Sequence, residues 1–215
     1  MLARRIEAAH GVEVRTLVAD VAAPAFAEEL AAATRDVEVG TGVYNAAYSF
    51  VAPLLSRPPD DAMRVVDVNV RAPLLFVHAL APAMVVRGRG TLILMSSLAG
   101  SHGAPRLSAY AASKAFNTTL AESLWAELGP QGVDVLACCA GAIRTPGYAS
   151  ALTKDAPGTM DPEEVAEAAL RALGGGPVVV PGATNKLAAF VLRRLLPRRA
   201  AVAILGRSLA DLEPG

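Results

Sequence analysis

The sequence predicts an α/β protein: a doubly wound parallel sheet covered by helices on both faces, in three layers. Two observations support this fold class. Short runs rich in Val, Ile and Leu alternate along the chain with longer helical patterns, which is typical of parallel strands joined by helices. The 215 residues, 53% of them hydrophobic, are enough for one domain with a sizeable core. We therefore expect a single domain over residues 1–215.

The N-terminal half starts with a helical pattern over residues 2–9 that is followed by His10 and Gly11, and glycine is a common residue just after a helix end. Pro73 and Pro82 fall inside a later helical pattern, and we expect a kink or break there because an internal proline removes a backbone hydrogen bond. The predicted elements of this half are a strand over 12–19, a helix over 24–36, a strand over 39–45 and a helix over 60–86.

The C-terminal half continues the alternation. Asp161 and Pro162 form a helix start with acidic residues in the first turn, and three glycines at 174–176 end that helix. The predicted elements are strands over 91–95, 133–139 and 178–180, and helices over 109–128 and 161–173.

The tail over residues 186–212 alternates apolar and basic side chains, which predicts two helices separated at Pro197. Such a segment can cover an apolar substrate pocket or a subunit contact, or it can lie on an anionic membrane. We favour a C-terminal helical cap and expect no stable membrane insertion.

Composition excludes several functional classes. A net charge of zero and only 5% aromatic residues argue against a nucleic-acid partner. Cys138 and Cys139 are adjacent and point to opposite faces of a predicted strand, so we interpret them as core residues in a reducing compartment. No signal-peptide pattern opens the sequence and no apolar run reaches the length of a membrane span, so we expect a cytoplasmic location.

Tyr110 and Lys114 are the most informative pair of residues. They stand four positions apart in a predicted helix and therefore share one face. A neighbouring ammonium favours the phenolate and lowers the pKa of a tyrosine towards neutrality. Tyr110 is therefore a candidate general acid or base, although such a pair alone is also common as a solvated helix contact.

Two more polar residues point to the same site. Ser97 follows an apolar strand and is expected at the carboxyl edge of the sheet, where ligands bind in open α/β folds. A hydroxyl there can hydrogen-bond a substrate carbonyl as negative charge develops. Asn69 lies in the long helix before this strand, where an isolated asparagine is usually solvated or bonded to the backbone.

On these residues the chain resembles the short-chain dehydrogenase/reductase family. The resemblance rests on Asn69, Met95-Ser-Ser97 with Gly100, Tyr110-Ala-Ala-Ser-Lys114 and Cys139-Ala-Gly-Ala-Ile-Arg-Thr145. It implies a Rossmann-like fold and NADP or NAD as cofactor. It also implies that Tyr110 and Ser97 bind the substrate oxygen, that Lys114 lowers the phenol pKa and holds the cofactor ribose, and that Asn69 completes a proton relay.

The resemblance further implies cofactor-binding positions beyond Tyr110 and Lys114. The sequence departs from the family at Tyr44, Ala47 and Ala140, where Asn, Gly and Pro are usual. Asn45 can also be an ordinary strand-end residue, and Thr145 a loop start. The implied positions are Asp20 and Val21 at the adenine, Asn45, Ala46 and Ala47 beside the fourth strand of the family, and Ala140, Gly141, Ile143 and Thr145 at the nicotinamide.

Family members open with a strand and a Thr-Gly-x-x-x-Gly-x-Gly turn that holds the cofactor pyrophosphate at a helix N-terminus. This sequence contains no such motif. By resemblance, residues 12–19 are the third strand of the family, in a sheet of order 3-2-1-4-5-6-7. We therefore expect an N-terminally incomplete sandwich that lacks two strands and binds the dinucleotide weakly.

The sequence thus predicts an oxidoreductase that moves hydride between NAD(P) and a carbonyl or secondary alcohol, with the apolar tail indicating a lipophilic small-molecule substrate. The alternative is a catalytically silent relative that acts as a binding or oligomerisation module. The missing glycine-rich turn favours the alternative, and the four catalytic residues favour the enzyme. The resemblance also implies a homodimer or homotetramer, because the family associates through the long helix before Ser97 and the helix that carries Tyr110. The second of these helices keeps an apolar stripe here, formed by Phe116, Leu120, Leu124 and Leu128.

Overall fold

Four parallel strands form one sheet in the order β1-β2-β3-β4 in the computed structural model, which describes residues 2–145 and 155–208. The strands are β1 (Thr41–Tyr44), β2 (Gly90–Ser97), β3 (Val133–Ala140) and β4 (Val178–Val179). The helices are α1 (Leu2–His10), α2 (Phe26–Ala33), α3 (Pro59–Val66), α4 (Ala72–Arg87), α5 (Ser108–Leu128), α6 (Pro162–Arg171), α7 (Ala183–Phe190) and α8 (Arg198–Ser208).

Helices cover both faces of the sheet, so the predicted three-layer α/β class is confirmed. Leu92 and Leu94 of β2 belong to the core that α4 and α5 close on one face. Ile93, between them, belongs to the core that α6 closes on the other face. Cys139 and Cys138 are divided between the same two cores, as alternation along a strand requires.

The register of the sheet fixes where polar loops can meet. Tyr44 pairs with Leu94, and Ser97 pairs with Ala140. Since all strands run in one direction, the carboxyl ends of β1, β2 and β3 lie at one edge. The residues that follow each strand therefore share this edge.

The predicted strand over residues 12–19 is wrong. These residues follow the left-handed Gly11 that ends α1, but they form no ladder with any described strand. Val18 is 99% exposed, and Arg15 forms ion pairs with Glu13 and Asp36 at the surface. An extended segment is a strand only when a neighbouring strand takes its backbone hydrogen bonds, and none lies beside it in the described ranges.

The long helix is continuous from Pro59 to Arg87, and the predicted break at its prolines is corrected to a widened turn. Residues Asp67–Arg71 form a π turn directly before Pro73, and the Ala72 N–H donates to the Asp67 carbonyl. Pro73 has no N–H to donate to the preceding turn of the helix. The wider turn before it lets the helix continue without that hydrogen bond. The helix then continues through Pro82.

This helix is long and apolar enough to span a membrane, but half of its most apolar window is buried inside the protein. Phe76, Leu80 and Met84 of α4 pack on the sheet. Burial against the protein's own sheet is a sufficient reason for its apolar composition.

Glycine and proline set the ends of the other helices as the sequence indicated. Asp161 precedes α6, and its N–H donates to the Glu164 carboxylate at 3.0 Å.

The tail forms two helices that are interrupted before Pro197, where Leu196 is extended. The two tail helices bury Ala189 and Ala201, whereas Phe190 is 56% exposed. The role of the tail as a cap remains a prediction.

The expected apolar stripe on α5 is corrected in part. Leu120, Leu124 and Leu128 pack against the core of their own chain, because α5 needs them to cover the sheet. Trp125 is instead 40% exposed on the outer side of this helix. Self-association through α5 remains a prediction, and the exposed Trp125 adds an apolar group to the surface it would use.

Candidate active site

Ser97 and Tyr110 are brought together by the turn that follows β2. Ser97 ends the strand, and its Oγ accepts a hydrogen bond from the Ala99 N–H at 3.2 Å, which starts the short 3₁₀ turn Leu98–Ser101. A Cβ at Gly100 would lie 2.6 Å from the Ala115 nitrogen, so only glycine lets this turn approach α5 so closely. The Ser97 hydroxyl lies close enough to the Tyr110 phenol to act on its pKa.

Tyr110 is held largely away from water in the first turn of α5. Burial raises the pKa of its phenol, and the nearby Ser97 hydroxyl acts in the opposite direction. The pKa of Tyr110 is therefore raised rather than lowered towards neutrality, and a lowering contribution from Lys114 remains a prediction. Phenol burial outweighs the other contributions, and Tyr110 is protonated at neutral pH.

Lys114 is a buried ammonium, 3% exposed, one turn after Tyr110. Its Nζ donates to the Met95 carbonyl of β2 at 2.7 Å and lies 5.6 Å from the centroid of the Tyr110 ring. Burial lowers the pKa of Lys114 to about 8. The Nζ therefore lies over the ring face, and within the described ranges no other protein group accepts its two remaining hydrogens.

Asn69 is fully buried in the π turn and links three parts of the site. Its Oδ1 accepts from the Tyr48 N–H at 2.8 Å, and its Nδ2 donates to the Tyr48 carbonyl at 2.9 Å. The same Nδ2 donates to the Ser113 hydroxyl at 3.0 Å, which in turn donates to the Tyr110 carbonyl at 2.7 Å. Asn69 therefore fixes the loop after β1 relative to the start of α5, and a role in proton relay remains a prediction.

Tyr44 is a site residue that sequence reasoning treated only as a departure from the family. In an α-helix the Val68 carbonyl would accept from the Ala72 N–H, but that N–H is bonded to Asp67 in the π turn. The next residue, Pro73, has no N–H. The buried Tyr44 hydroxyl instead donates to the Val68 carbonyl at 2.6 Å. The sequence did contain an indication of this contact, namely a tyrosine at the end of a predicted strand together with a proline inside the next predicted helix.

Ser96 is a second residue that sequence reasoning missed. Its Oγ donates to the Lys114 carbonyl at 2.7 Å and lies 2.7 Å from the Thr118 hydroxyl. Thr118 also bonds the Lys114 carbonyl, at 3.1 Å. The two neighbouring serines of β2 therefore have different roles. Ser96 hydrogen-bonds to α5, whereas Ser97 lies near the Tyr110 phenol.

The implied cofactor-binding positions lie along the edge of the sheet. Asn45, Ala46 and Ala47 follow β1 and are exposed. Ala140 ends β3, and a Cβ at Gly141 would lie 2.7 Å from the Asn185 Oδ1. Placement at this edge agrees with a ligand site, and the individual roles remain predictions.

The remaining positions lie at the two ends of that row. The exposed Asp20 carboxylate accepts from the Ala22 N–H at 3.0 Å and pairs with Arg64 at 3.2 Å, and these bonds lower its pKa. Val21 packs partly against the core. Ile143 forms a single bridge with Met160, and Thr145 is exposed.

Comparison with known proteins decides the family. A sequence model of the short chain dehydrogenases matches residues 1–156. The chain belongs to this family. It is 30% identical over 192 residues to the 7beta-hydroxysteroid dehydrogenase of Collinsella aerofaciens, which covers 86% of this chain and 73% of that protein. It is 34% identical over 167 residues to dehydrogenase/reductase SDR family member 7B of Xenopus tropicalis, covering 72% of this chain and about half, 54%, of that protein's length.

Solved structures of family members have the same fold. A 7beta-hydroxysteroid dehydrogenase superposes with a TM-score of 0.88 at 27% identity, covering 95% of this chain and 81% of the other. A short-chain dehydrogenase from Sphingobium yanoikuyae, solved with NADPH, superposes with a TM-score of 0.76 at 28% identity, covering 85% of this chain and 73% of the other. The predicted Rossmann-like fold, oxidoreductase class and NAD(P) as the family's cofactor are confirmed.

Proposed function

We propose that this short chain dehydrogenase interconverts a lipophilic carbonyl compound and its secondary alcohol with NADP or NAD. The observation that carries the proposal is the buried Lys114 ammonium 5.6 Å from the centroid of the Tyr110 ring, with the Ser97 hydroxyl near the same phenol. This set places two hydroxyl groups where one substrate oxygen can meet both. It also places a positive charge where negative charge would form.

In the direction of reduction, Tyr110 donates its phenol proton to the substrate oxygen. The raised pKa of this phenol keeps the proton in place at neutral pH until the oxygen becomes basic. Ser97 donates a hydrogen bond to the same oxygen as its negative charge develops. Lys114, 5.6 Å from the ring centroid, stabilises the phenolate that remains. The nicotinamide cofactor, when bound, supplies the hydride.

The site suits such a cofactor on one structural observation. Lys114 is almost completely buried, yet only one of its three N–H donors has a protein acceptor in the described ranges. A buried ammonium is costly without hydrogen-bonding partners. Ribose hydroxyls would satisfy the two remaining donors, and the exposed Asn45 and Ala46 backbone lies at the same edge of the sheet.

The lipophilic substrate class is supported by the tail. The helix α7 contacts the turn Leu98–Ser101 that follows Ser97, so the tail lies beside the reacting groups. Leu187 is 64% exposed on this helix, and Leu195 is 63% exposed in the turn after it. Apolar side chains near a carbonyl-binding site favour a substrate with a large apolar body.

The test is turnover of NADPH with a panel of cyclic and long-chain ketones, for the wild type and for Tyr110→Phe. The Phe variant should lose about 10²-fold or more in kcat, because it removes the transferable proton. Tyr48→Phe is the matched control, since its hydroxyl has no hydrogen-bond partner in the described ranges. NADPH binding without turnover of any ketone would support the silent relative instead.

A further inference from the structure

The tail helices are strongly basic. From Ala172 to Ser208 the sequence has no acidic residue, and its basic residues are Lys186, Arg193, Arg194, Arg198, Arg199 and Arg207. Neither Arg193 nor Arg198 forms a salt bridge with any residue of the described ranges. Both side chains are exposed, so their positive charge is accessible to an anionic ligand.

The contacts of α8 show where Arg198 is placed. A Cβ at Gly206 would lie 3.1 Å from Pro105, and a Cβ at Gly103 would lie 3.7 Å from Val202. The helix therefore runs parallel to the loop after the 3₁₀ turn, since Val202 lies beside Gly103 and Gly206 lies beside Pro105. Arg198 precedes Val202 by one turn on the same face, about 6 Å along the axis. It consequently lies towards the Ser97 end of this loop.

His102 lies in this loop, near the position inferred for Arg198. It is 8% exposed and directly follows the turn that starts at Ser97, and its buried Nδ1 has no hydrogen-bond partner among residues 2–145 and 155–208. Burial lowers the pKa of this imidazole, and repulsion from Arg198 and Arg193 lowers it further. His102 is therefore neutral at neutral pH and close to both guanidinium groups. A neutral imidazole with a free nitrogen beside two arginines can hydrogen-bond an anion that those arginines attract.

We infer that Arg198, with Arg193 and His102 beside it, forms a subsite for an anionic group of the substrate, at the end remote from the reacting carbonyl. This inference rests on the proposed function and narrows its substrate class to oxo compounds that carry a carboxylate or a similar anion on an apolar body. Arginine suits this role because its planar guanidinium can bind a carboxylate through two parallel hydrogen bonds. The apolar body would then extend from the tail towards Ser97 and Tyr110.

A binding experiment tests the subsite without requiring turnover. Decanoate and 1-decanol are titrated calorimetrically into the wild type, Arg198→Gln and the control Arg207→Gln, which alters an exposed arginine at the far end of α8. The wild type should bind decanoate about tenfold more tightly than 1-decanol, and Arg198→Gln should remove about that tenfold preference. Arg207→Gln loses the same charge from the last turn of α8, about 14 Å from Arg198 along the helix axis, and should change affinity less than about twofold.

A turnover experiment then connects the subsite to the reaction. The ratio of kcat/KM for 9-oxodecanoate to that for its methyl ester should exceed about ten in the wild type and in Arg207→Gln, and fall near one in Arg198→Gln. If neither compound is reduced while the binding pattern holds, the proposed function is wrong and the subsite stands. Equal losses in both arginine variants would indicate a diffuse basic surface, such as one that meets an anionic membrane, and would overturn the subsite. No preference for decanoate in the wild type would overturn it as well.

Discussion

Replacing Lys114 with Met should stabilise the protein while abolishing turnover. Lys114 is 3% exposed, and burial lowers the pKa of its ammonium from 10.5 to about 8. Between these two pH values the unfolded chain holds the proton and the folded chain has released it. The unfolded state thus binds more protons, and the free energy of unfolding of the wild type rises with pH across this window.

The size of the effect follows from the same shift. One pKa unit corresponds to about 1.4 kcal/mol, so this residue contributes a rise of about 2 kcal/mol between pH 7 and pH 9.5. At pH 7 the Met variant avoids the buried charge, about 3 kcal/mol, but leaves the Met95 carbonyl without its donor, at a cost of about 1 to 2 kcal/mol. We expect a net stabilisation of about 1 to 2 kcal/mol at pH 7, which vanishes or reverses by pH 9.5.

The assay is urea unfolding followed by circular dichroism at pH 7.0, 8.0, 9.0 and 9.5. Wild type, Lys114→Met and the control Lys186→Met, which alters an exposed lysine, are compared at each pH. The difference between wild type and Lys114→Met should change by about 2 kcal/mol across this range, and the Lys186 control should follow the wild type. A difference that stays constant with pH would refute the account of Lys114 as a desolvated ammonium.

Three further substitutions test the packing around the site. Tyr44→Phe leaves the Val68 carbonyl without its 2.6 Å donor and should lower the free energy of unfolding by about 1 to 3 kcal/mol in urea titrations; an unchanged midpoint would contradict this role. Gly100→Ala should lower both stability and kcat, whereas Gly129→Ala, whose Cβ would meet nothing within 4 Å, should change neither; equal effects would refute the close approach. Trp125→Asp should convert the expected oligomer to a monomer in light scattering, and a wild type that is already monomeric would contradict self-association.

Much of the site could be predicted because its residues are tied to local sequence signals. An apolar strand that ends in serine placed Ser97 at the sheet edge, and helical spacing placed Lys114 one turn from Tyr110. The protonation of Tyr110 could not be predicted in this way, because it depends on how completely the fold buries the phenol. Sequence spacing shows that two groups are near each other, but not which of the competing effects is larger.

The wrong structural predictions have a common physical origin. Each depends on a contact with a segment that is distant in the sequence. Residues 12–19 have the composition of a strand, but a strand exists only beside another strand. Pro73 indicated an irregular helix. The local sequence did not show that the irregularity is a π turn, or that the Tyr44 hydroxyl from β1 would bond the free Val68 carbonyl in it. The contact of α8 with the loop after Ser97 joins segments that are distant in the sequence, so the neighbourhood of His102 and Arg198 emerges only in the fold.

The most direct test of the central claim is to follow the hydride itself. NADPH that carries deuterium at both positions of the reactive nicotinamide carbon is incubated with a ketone that the wild type reduces, and the alcohol is analysed by mass spectrometry for the wild type and for Tyr110→Phe. The wild type should yield an alcohol with one deuterium at the former carbonyl carbon, and Tyr110→Phe should yield at most about 1% as much. An unlabelled alcohol from the wild type, or equal labelled product from both proteins, would contradict the assignment of Ser97, Tyr110 and Lys114 as the groups that carry the reaction.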